Sequence, residues 1–183
     1  MTTVLPDHTV HDDWSLGEPV DPALMRSVMG AFPTGVTVVT TSLAGRAVGM
    51  TISSFASVSL NPPLLLVCVA RTAGSLPAFR IGRPLAVNVL AKGQGQLAGR
   101  FASRAEDRFA GVEHVPGRNG APLLADTAAW VEGTVDRIYD AGDHVILLVR
   151  AEHMHRSENQ PLLYHSGNLH DWEPPTAPED TQP

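Results

Sequence analysis

Three consecutive runs decide the fold: Phe32-Pro33-Thr34-Gly35-Val36-Thr37-Val38-Val39-Thr40-Thr41, then Gly49-Met50-Thr51-Ile52-Ser53-Ser54-Phe55-Ala56-Ser57-Val58-Ser59-Leu60-Asn61-Pro62-Pro63, then Leu64-Leu65-Leu66-Val67-Cys68-Val69-Ala70-Arg71. The outer runs read as β-strands because they are short, apolar and rich in β-branched residues. Leu64 to Arg71 has almost no polar face, which predicts a strand buried on both sides. The middle run holds five hydroxyl side chains in nine residues (Thr51, Ser53, Ser54, Ser57, Ser59) and ends at a Pro-Pro stop. Its bland reading is a hydroxyl-rich loop that ends one strand. Its functional reading is a site for a ligand rich in carbonyl and ring-nitrogen acceptors, since small hydroxyl residues leave backbone N–H groups free to donate.

Outward from this core, Asp21-Pro22 opens a helix with Asp as N-cap and Pro at the first helical position. Leu24, Met25, Val28 and Met29 give it one apolar stripe, and Pro33 and Gly35 stop it. Val36 to Thr41 is a strand, Leu43-Ala44-Gly45-Arg46 turns it back, and Ala47 to Ile52 returns. Ser75 to Ile81 predicts a short helix, Leu85 to Ala91 a strand, and Gln96 to Ser103 a helix. Ala129 to Tyr139 and His144 to His153 are strands joined by Asp140-Ala141-Gly142-Asp143, and Leu162 to His165 is one more. Six or seven strands with few short helices make the chain mainly β, and a closed antiparallel barrel is the arrangement that removes exposed edges. Residues 1–20 read as a flexible leader and 21–172 as one folded domain. Residues 173–183, with four prolines and no large apolar side chain, read as a disordered tail.

Bulk properties narrow the function. A length of 183 residues with 43% hydrophobic composition fits one globular domain. A net charge of −6 argues against nucleic acid as a partner. The longest apolar run, Leu64 to Ala70, is too short to cross a bilayer, and the N-terminus lacks the pattern of a signal peptide. Cys68 is the one cysteine, so no intrachain disulfide forms and a reducing cytoplasm fits. No metal constellation is evident: His153 and His155 share a strand face but lack a third ligand. Gly93-Gln94-Gly95-Gln96-Leu97-Ala98 fits the G-x-G-x-x-G/A dinucleotide fingerprint. Yet no repeated βαβ units follow it, so a helix N-terminus near a phosphate is the preferred reading.

Taken together, these strings resemble the short-chain flavin reductases. The likeness covers nearly the whole folded region. It includes Val87-Asn88-Val89-Leu90, Leu97-Ala98-Gly99-Arg100-Phe101-Ala102, Asp107-Arg108-Phe109-Ala110-Gly111-Val112, Gly142-Asp143-His144 and Pro161-Leu162-Leu163-Tyr164-His165-Ser166-Gly167. Ala70-Arg71-Thr72-Ala73-Gly74-Ser75 is similar to the reductases of antibiotic biosynthesis clusters. The resemblance implies an FMN-binding split β-barrel with Greek-key connections, and an NAD(P)H:flavin oxidoreductase that supplies reduced flavin to a separate flavin-dependent monooxygenase. It implies FAD or FMN as dissociable cofactor, NAD(P)H as hydride donor, and a homodimer; no basic cluster for a 2′-phosphate is evident, which favours NADH. An isoalloxazine fits the acceptor-rich ligand read from the hydroxyl segment.

The residues that would hold the flavin are Thr34, Met50, Thr51, Ile52, Ser53, Ser54, Ser57, Val58, Cys68, Ser75, Asn88, Arg100, Phe101, His144 and Tyr164. His144 would serve catalysis from the nicotinamide side. Arg71 and Arg104 are further candidate phosphate partners, with a surface charge preferred for Arg104. Two other functions stay open: a flavin-binding split-barrel protein without catalysis, and a Rossmann-type dehydrogenase.

Overall fold

The computed structural model describes residues 20–174. The leader and nearly all of the tail therefore lie outside the described residues. The elements in chain order are α1 (Pro22–Gly30), β1 (Thr34–Gly35), β2 (Thr37–Leu43), β3 (Arg46–Ile52), β4 (Phe55–Leu60), β5 (Pro63–Ala70), β6 (Pro84–Val89), α2 (Gly95–Ala102), β7 (His114–Pro116), β8 (Pro122–Leu124), β9 (Ala129–Ala141), β10 (His144–Arg156), β11 (Leu162–His165) and β12 (Asn168–Asp171). Seven strands form one antiparallel sheet in the order β3-β2-β6-β9-β10-β5-β4.

The two edge strands of that sheet, β3 and β4, are consecutive in the chain and joined only by Ser53 and Ser54. Two residues cannot reach across a flat sheet of seven strands, because neighbouring strands lie about 4.8 Å apart. The sheet is therefore rolled until its edges meet at this link. All seven strands then send alternate side chains into one interior, from Val39, Met50 and Ile52 through Phe55, Leu65, Val67 and Val69 to Leu85, Val87, Val135, Val145, Leu147 and Val149. This is a split barrel: the sheet is hydrogen-bonded continuously from β3 round to β4, and these two edge strands are not paired with each other.

Several expectations change. The segment from Thr51 to Ser59 is not one loop: it is the end of β3, a two-residue link, and strand β4. β5 is not buried on both faces, because Leu65, Val67 and Val69 point inward while Leu66 and Cys68 remain half-buried on the outside. The helix expected over Ser75 to Ile81 shrinks to one 3-10 turn, Leu76–Ala78, which delivers Phe79 to the barrel interior. α1 forms with its Asp21 cap, the carboxylate accepting from the Ala23 N–H, but none of its residues is buried. All sheet pairings are antiparallel, so no βαβ unit surrounds the glycine fingerprint. No helix among the described residues is long and apolar enough to cross a membrane.

Outside the barrel, α2 lies on the β2–β3 face, where Ala98 and Phe101 pack with Val36, Val38, Leu90, Leu124 and Leu162. Gly49 permits this approach: a Cβ there would come within 2.8 Å of the Phe101 ring. The N-terminus of α2 was expected near a phosphate. Just ahead of its N-cap Gln94, the Gly93 N–H donates to Asp171 Oδ1 at 2.9 Å and ties this turn to β12.

Candidate functional site

Backbone alternation sets the chemistry of the open edge. In an antiparallel pair, successive residues direct their N–H and C=O groups alternately toward and away from the partner strand. The Gly49 carbonyl accepts from a side chain outside the sheet, Arg108 Nη1 at 2.8 Å, so Gly49 faces the opening. By the same alternation Thr51 faces it too, whereas Met50 and Ile52 face β2. The open edge thus presents the N–H groups of Gly49 and Thr51 between two hydrophobic strand faces.

Three concavities follow this edge. Near Gly49 a cavity of about 560 Å³ is lined by Arg46, Val48, Gly74, Ser75 and Arg108 among others. Beyond Thr51 a small cleft of about 330 Å³ reaches from Ala98 and Gly99 to Ser53 and Tyr164. It shares Ser53, Tyr164 and Gly167 with a larger, mostly apolar groove of about 840 Å³ that adds Phe32, Thr34, Ser54, Leu66 and Cys68. From Gly49 to Ser53 the strand advances about 13 Å at its usual rise. One elongated ligand can therefore lie along it. An apolar trough with a few convergent polar groups is the usual form of a cofactor site.

Several expected residues meet here. Thr34, Ser53, Ser54, Cys68 and Tyr164 line the groove, Thr51 lines the cleft, and Ser75 lines the cavity. Thr51 Oγ1 donates to the Ala98 carbonyl at 2.7 Å, and Ser54 Oγ donates to the Cys68 carbonyl at 3.1 Å. Each hydroxyl has thus spent its proton inside the protein and keeps lone pairs for a ligand donor. The Cys68 N–H donates to the Ser54 carbonyl at 3.1 Å, which fastens the link to β5. Thr34 Oγ1 is buried beside the groove with no partner among the described residues, a state that a bound donor or acceptor would relieve.

Others sit elsewhere. Asn88 is fully buried and its amide is saturated: Nδ2 donates to the Val38 carbonyl and Thr40 Oγ1, while Oδ1 accepts from the Leu124 N–H. It ties β2, β6 and β8 together and has nothing to offer a cofactor. Ile52 and Phe101 are core side chains, and Met50 packs against the barrel interior. Ser57 and Val58 are exposed on β4 at a register shift, away from these three concavities. Arg100 is engaged with backbone: its Nε donates to the Arg108 carbonyl at 2.8 Å and its Nη2 to the Ala110 carbonyl at 2.5 Å. Arg71 is likewise engaged, with the Gly142 carbonyl and Asp140.

His144 opens β10 at the barrel end, paired with Ala70 of β5. Its side chain is 43% exposed, with Nδ1 2.7 Å from Asp143 Oδ1. A carboxylate can only accept, so Nδ1 carries the proton and Nε2 is free for a partner. The hydrogen bond to His144 holds the Asp143 carboxyl below its ordinary value. Sequence reading missed Arg108. The only signal was its place in Asp107-Arg108-Phe109, whose neighbours alone do not show where the guanidinium points.

The family model for the flavin reductase like domain matches residues 29–173 of this chain. A probable flavin reductase of Rhizobium meliloti (strain 1021) is 44% identical over 151 residues, 82% of this chain and 49% of that protein. The chain thus spans about half the length of this relative. The reductase subunit HsaB of a flavin-dependent monooxygenase from Rhodococcus jostii (strain RHA1) is 37% identical, covering 86% of this chain and 81% of HsaB. Among solved structures, the Streptomyces globisporus C-1027 NADH:FAD oxidoreductase SgcE6, in complex with NAD and FAD fragments, superposes with a TM-score of 0.79. It shares 39% identity and covers 88% of this chain and 100% of that one.

Proposed function

The chain belongs to the flavin reductase-like family, and we propose that it is an NAD(P)H:flavin oxidoreductase serving a separate flavin-dependent monooxygenase. The observation that carries this reading is the Ser53–Ser54 link at the barrel split, where an edge of free N–H donors adjoins an apolar trough. The trough's chemistry fits an isoalloxazine: donors for its carbonyl and ring-nitrogen acceptors, flat apolar walls from Leu66 and Cys68, and the unpartnered Thr34 hydroxyl.

When bound, the flavin supplies the electrophilic ring that accepts a hydride from reduced nicotinamide. The chain's own contribution is position and charge. Thr51 holds acceptor lone pairs toward the cleft and Ser54 toward the trough, and the Gly49 and Thr51 N–H groups would stabilise negative charge on a ring carbonyl or nitrogen. His144 presents Nε2 at the barrel end and aligns the nicotinamide, a role that needs no proton transfer. The trough is open, which suits a flavin that leaves after each turnover.

NADH is the favoured donor, because no basic cluster suited to a 2′-phosphate stands out in the sequence. FMN and FAD are both admitted. The SgcE6 complex supports use of a nicotinamide and a flavin, and a reaction fed by NADH fits the cytoplasm. A homodimer completes the reading: Leu24, Met25, Val28 and Met29 are each 57% exposed or more on α1, and a second barrel would cover them.

The test is NADH oxidation with FMN, FAD, riboflavin or no flavin. The rate rises and saturates with added flavin. Equal rates without any flavin, in protein shown to be flavin-free, would refute it.

A further inference from the structure

Arg108 has a placement that flavin binding along this edge leaves unexplained. Its Nη1 donates both to the Gly49 carbonyl at 2.8 Å and to Ser75 Oγ at 3.1 Å. One guanidinium nitrogen therefore bridges the open edge of β3 and the Gly74–Ser75 loop, the two walls of the 560 Å³ cavity. We propose that Arg108 is a positioning residue that fixes the width of the cavity at the Gly49 end of the flavin site and occupies the Gly49 carbonyl. This inference rests on the reading that the flavin ring lies against the edge from Gly49 to Thr51.

The loop bearing Arg108 is anchored without the guanidinium. Asp107 Oδ1 accepts from the N–H groups of Phe109 and Ala110 at 2.9 and 3.1 Å. Arg100 donates to the carbonyls of Arg108 and Ala110. Phe109 stands edge-on against the buried Phe101 ring, their centroids 4.9 Å apart. The loop holds the guanidinium in place; the guanidinium is not needed to hold the loop. Arg108 Nε is also buried without a partner among the described residues, a cost that a purely stabilising side chain would not carry.

The gain lies at the edge. An unoccupied Gly49 carbonyl would face an acceptor-rich ring as a competing acceptor. With Arg108 bonded to it, the Gly49 carbonyl is withdrawn as a competing acceptor, and the Thr51 carbonyl is the acceptor that this stretch of edge keeps beside its N–H donors. The same bond fixes how far Ser75 stands from β3, and hence how snugly a flat ring is held.

Titration of flavin fluorescence with the full chain gives dissociation constants for riboflavin, FMN and FAD. Arg108→Gln should weaken all three alike by about tenfold, the weight of one hydrogen bond to a charged donor. Its flavin-free melting midpoint should stay at the wild-type value. Arg108→Lys should recover part of the loss, because an ammonium lacks the planar fork. Ser75→Ala removes one arm of the tie, so it should cost less, and it should add little in the Arg108→Gln background.

A loss confined to FMN and FAD would overturn the proposal, making Arg108 a phosphate ligand. A lowered melting midpoint with unchanged affinities would also overturn it, leaving a brace for the fold. If Arg108→Gln fails to fold, Ser75→Ala decides: unchanged riboflavin affinity there refutes the tie. Absence of flavin binding by the wild-type chain would instead refute the proposed function, and this assignment with it.

Discussion

Thr51 and Ser54 each donate their hydroxyl proton to a backbone carbonyl, so any ligand they hold must bring the donor. Ser54→Ala should weaken flavin binding by roughly two- to tenfold, the range of one net hydrogen bond, and hardly change the flavin-free melting midpoint. A melting loss without an affinity change would return Ser54 to the fold alone. For His144→Ala the expected change is a rise of roughly three- to tenfold in the NADH KM, again one hydrogen bond, with the flavin dissociation constant unmoved. A mutant that loses flavin but keeps its NADH parameters would contradict that role. Asp143 adds a pH dependence. Its carboxyl is held below the ordinary 3.8 by the hydrogen bond to His144, so this contribution to stability is present above that value. It fades as the pH falls through the lower folded value. Both partners are exposed and Glu173 adds an acid limb of its own, so Asp143→Asn should make the limb in a plot of melting midpoint against pH only slightly shallower, and an unchanged limb would contradict the pairing. At this scale the sequence named residues that the fold does bring to the groove, such as Ser53 and Tyr164. It was not where packing decides: nothing local to Asn88 reveals that Leu124 and Val38 consume its amide.

Among the elements, β3 matters most, since one strand serves the core with one face, α2 with the other, and the site with its free edge. Gly49 is the point of closest approach. Gly49→Ala would press a methyl group to within 2.8 Å of Phe101, so it should destabilise the chain by about 1–3 kcal/mol. Phe101→Leu in the same chain should restore part of this, as read by chemical denaturation, and a neutral Gly49→Ala would show that α2 yields freely. The hairpin of β2 and β3 was readable from β-branched residues and turn chemistry. β4 was not, because its alternating small hydroxyl residues bury little, and its strand state comes from pairing with β5. The outer face of β5 misled for a related reason. A continuous apolar run suits burial on both sides, but here it also suits the wall of a groove.

For the whole molecule, the rolled sheet leaves an open groove and an uncovered apolar helix, which the proposed flavin and the proposed second barrel would occupy. Light scattering at micromolar protein should give about twice the 19.5 kDa chain mass. The pair Met25→Glu and Val28→Glu should shift it toward a single chain, and a fully active monomer in the wild type would contradict the proposed pairing. The barrel could be inferred from strand count, whereas the closing geometry needed the pairing order that sets β3 beside β4 in sequence but at opposite ends of the sheet. The central claim, reduction of a flavin that then departs, is met most directly by one anaerobic experiment. Catalytic protein is mixed with NADH and a large excess of FMN or FAD, then passed through a membrane that retains the chain. Many equivalents of reduced flavin per chain should appear in the filtrate, matched one for one by NADH consumed. Bleaching that stops at one flavin per chain and stays with the retained protein would contradict it.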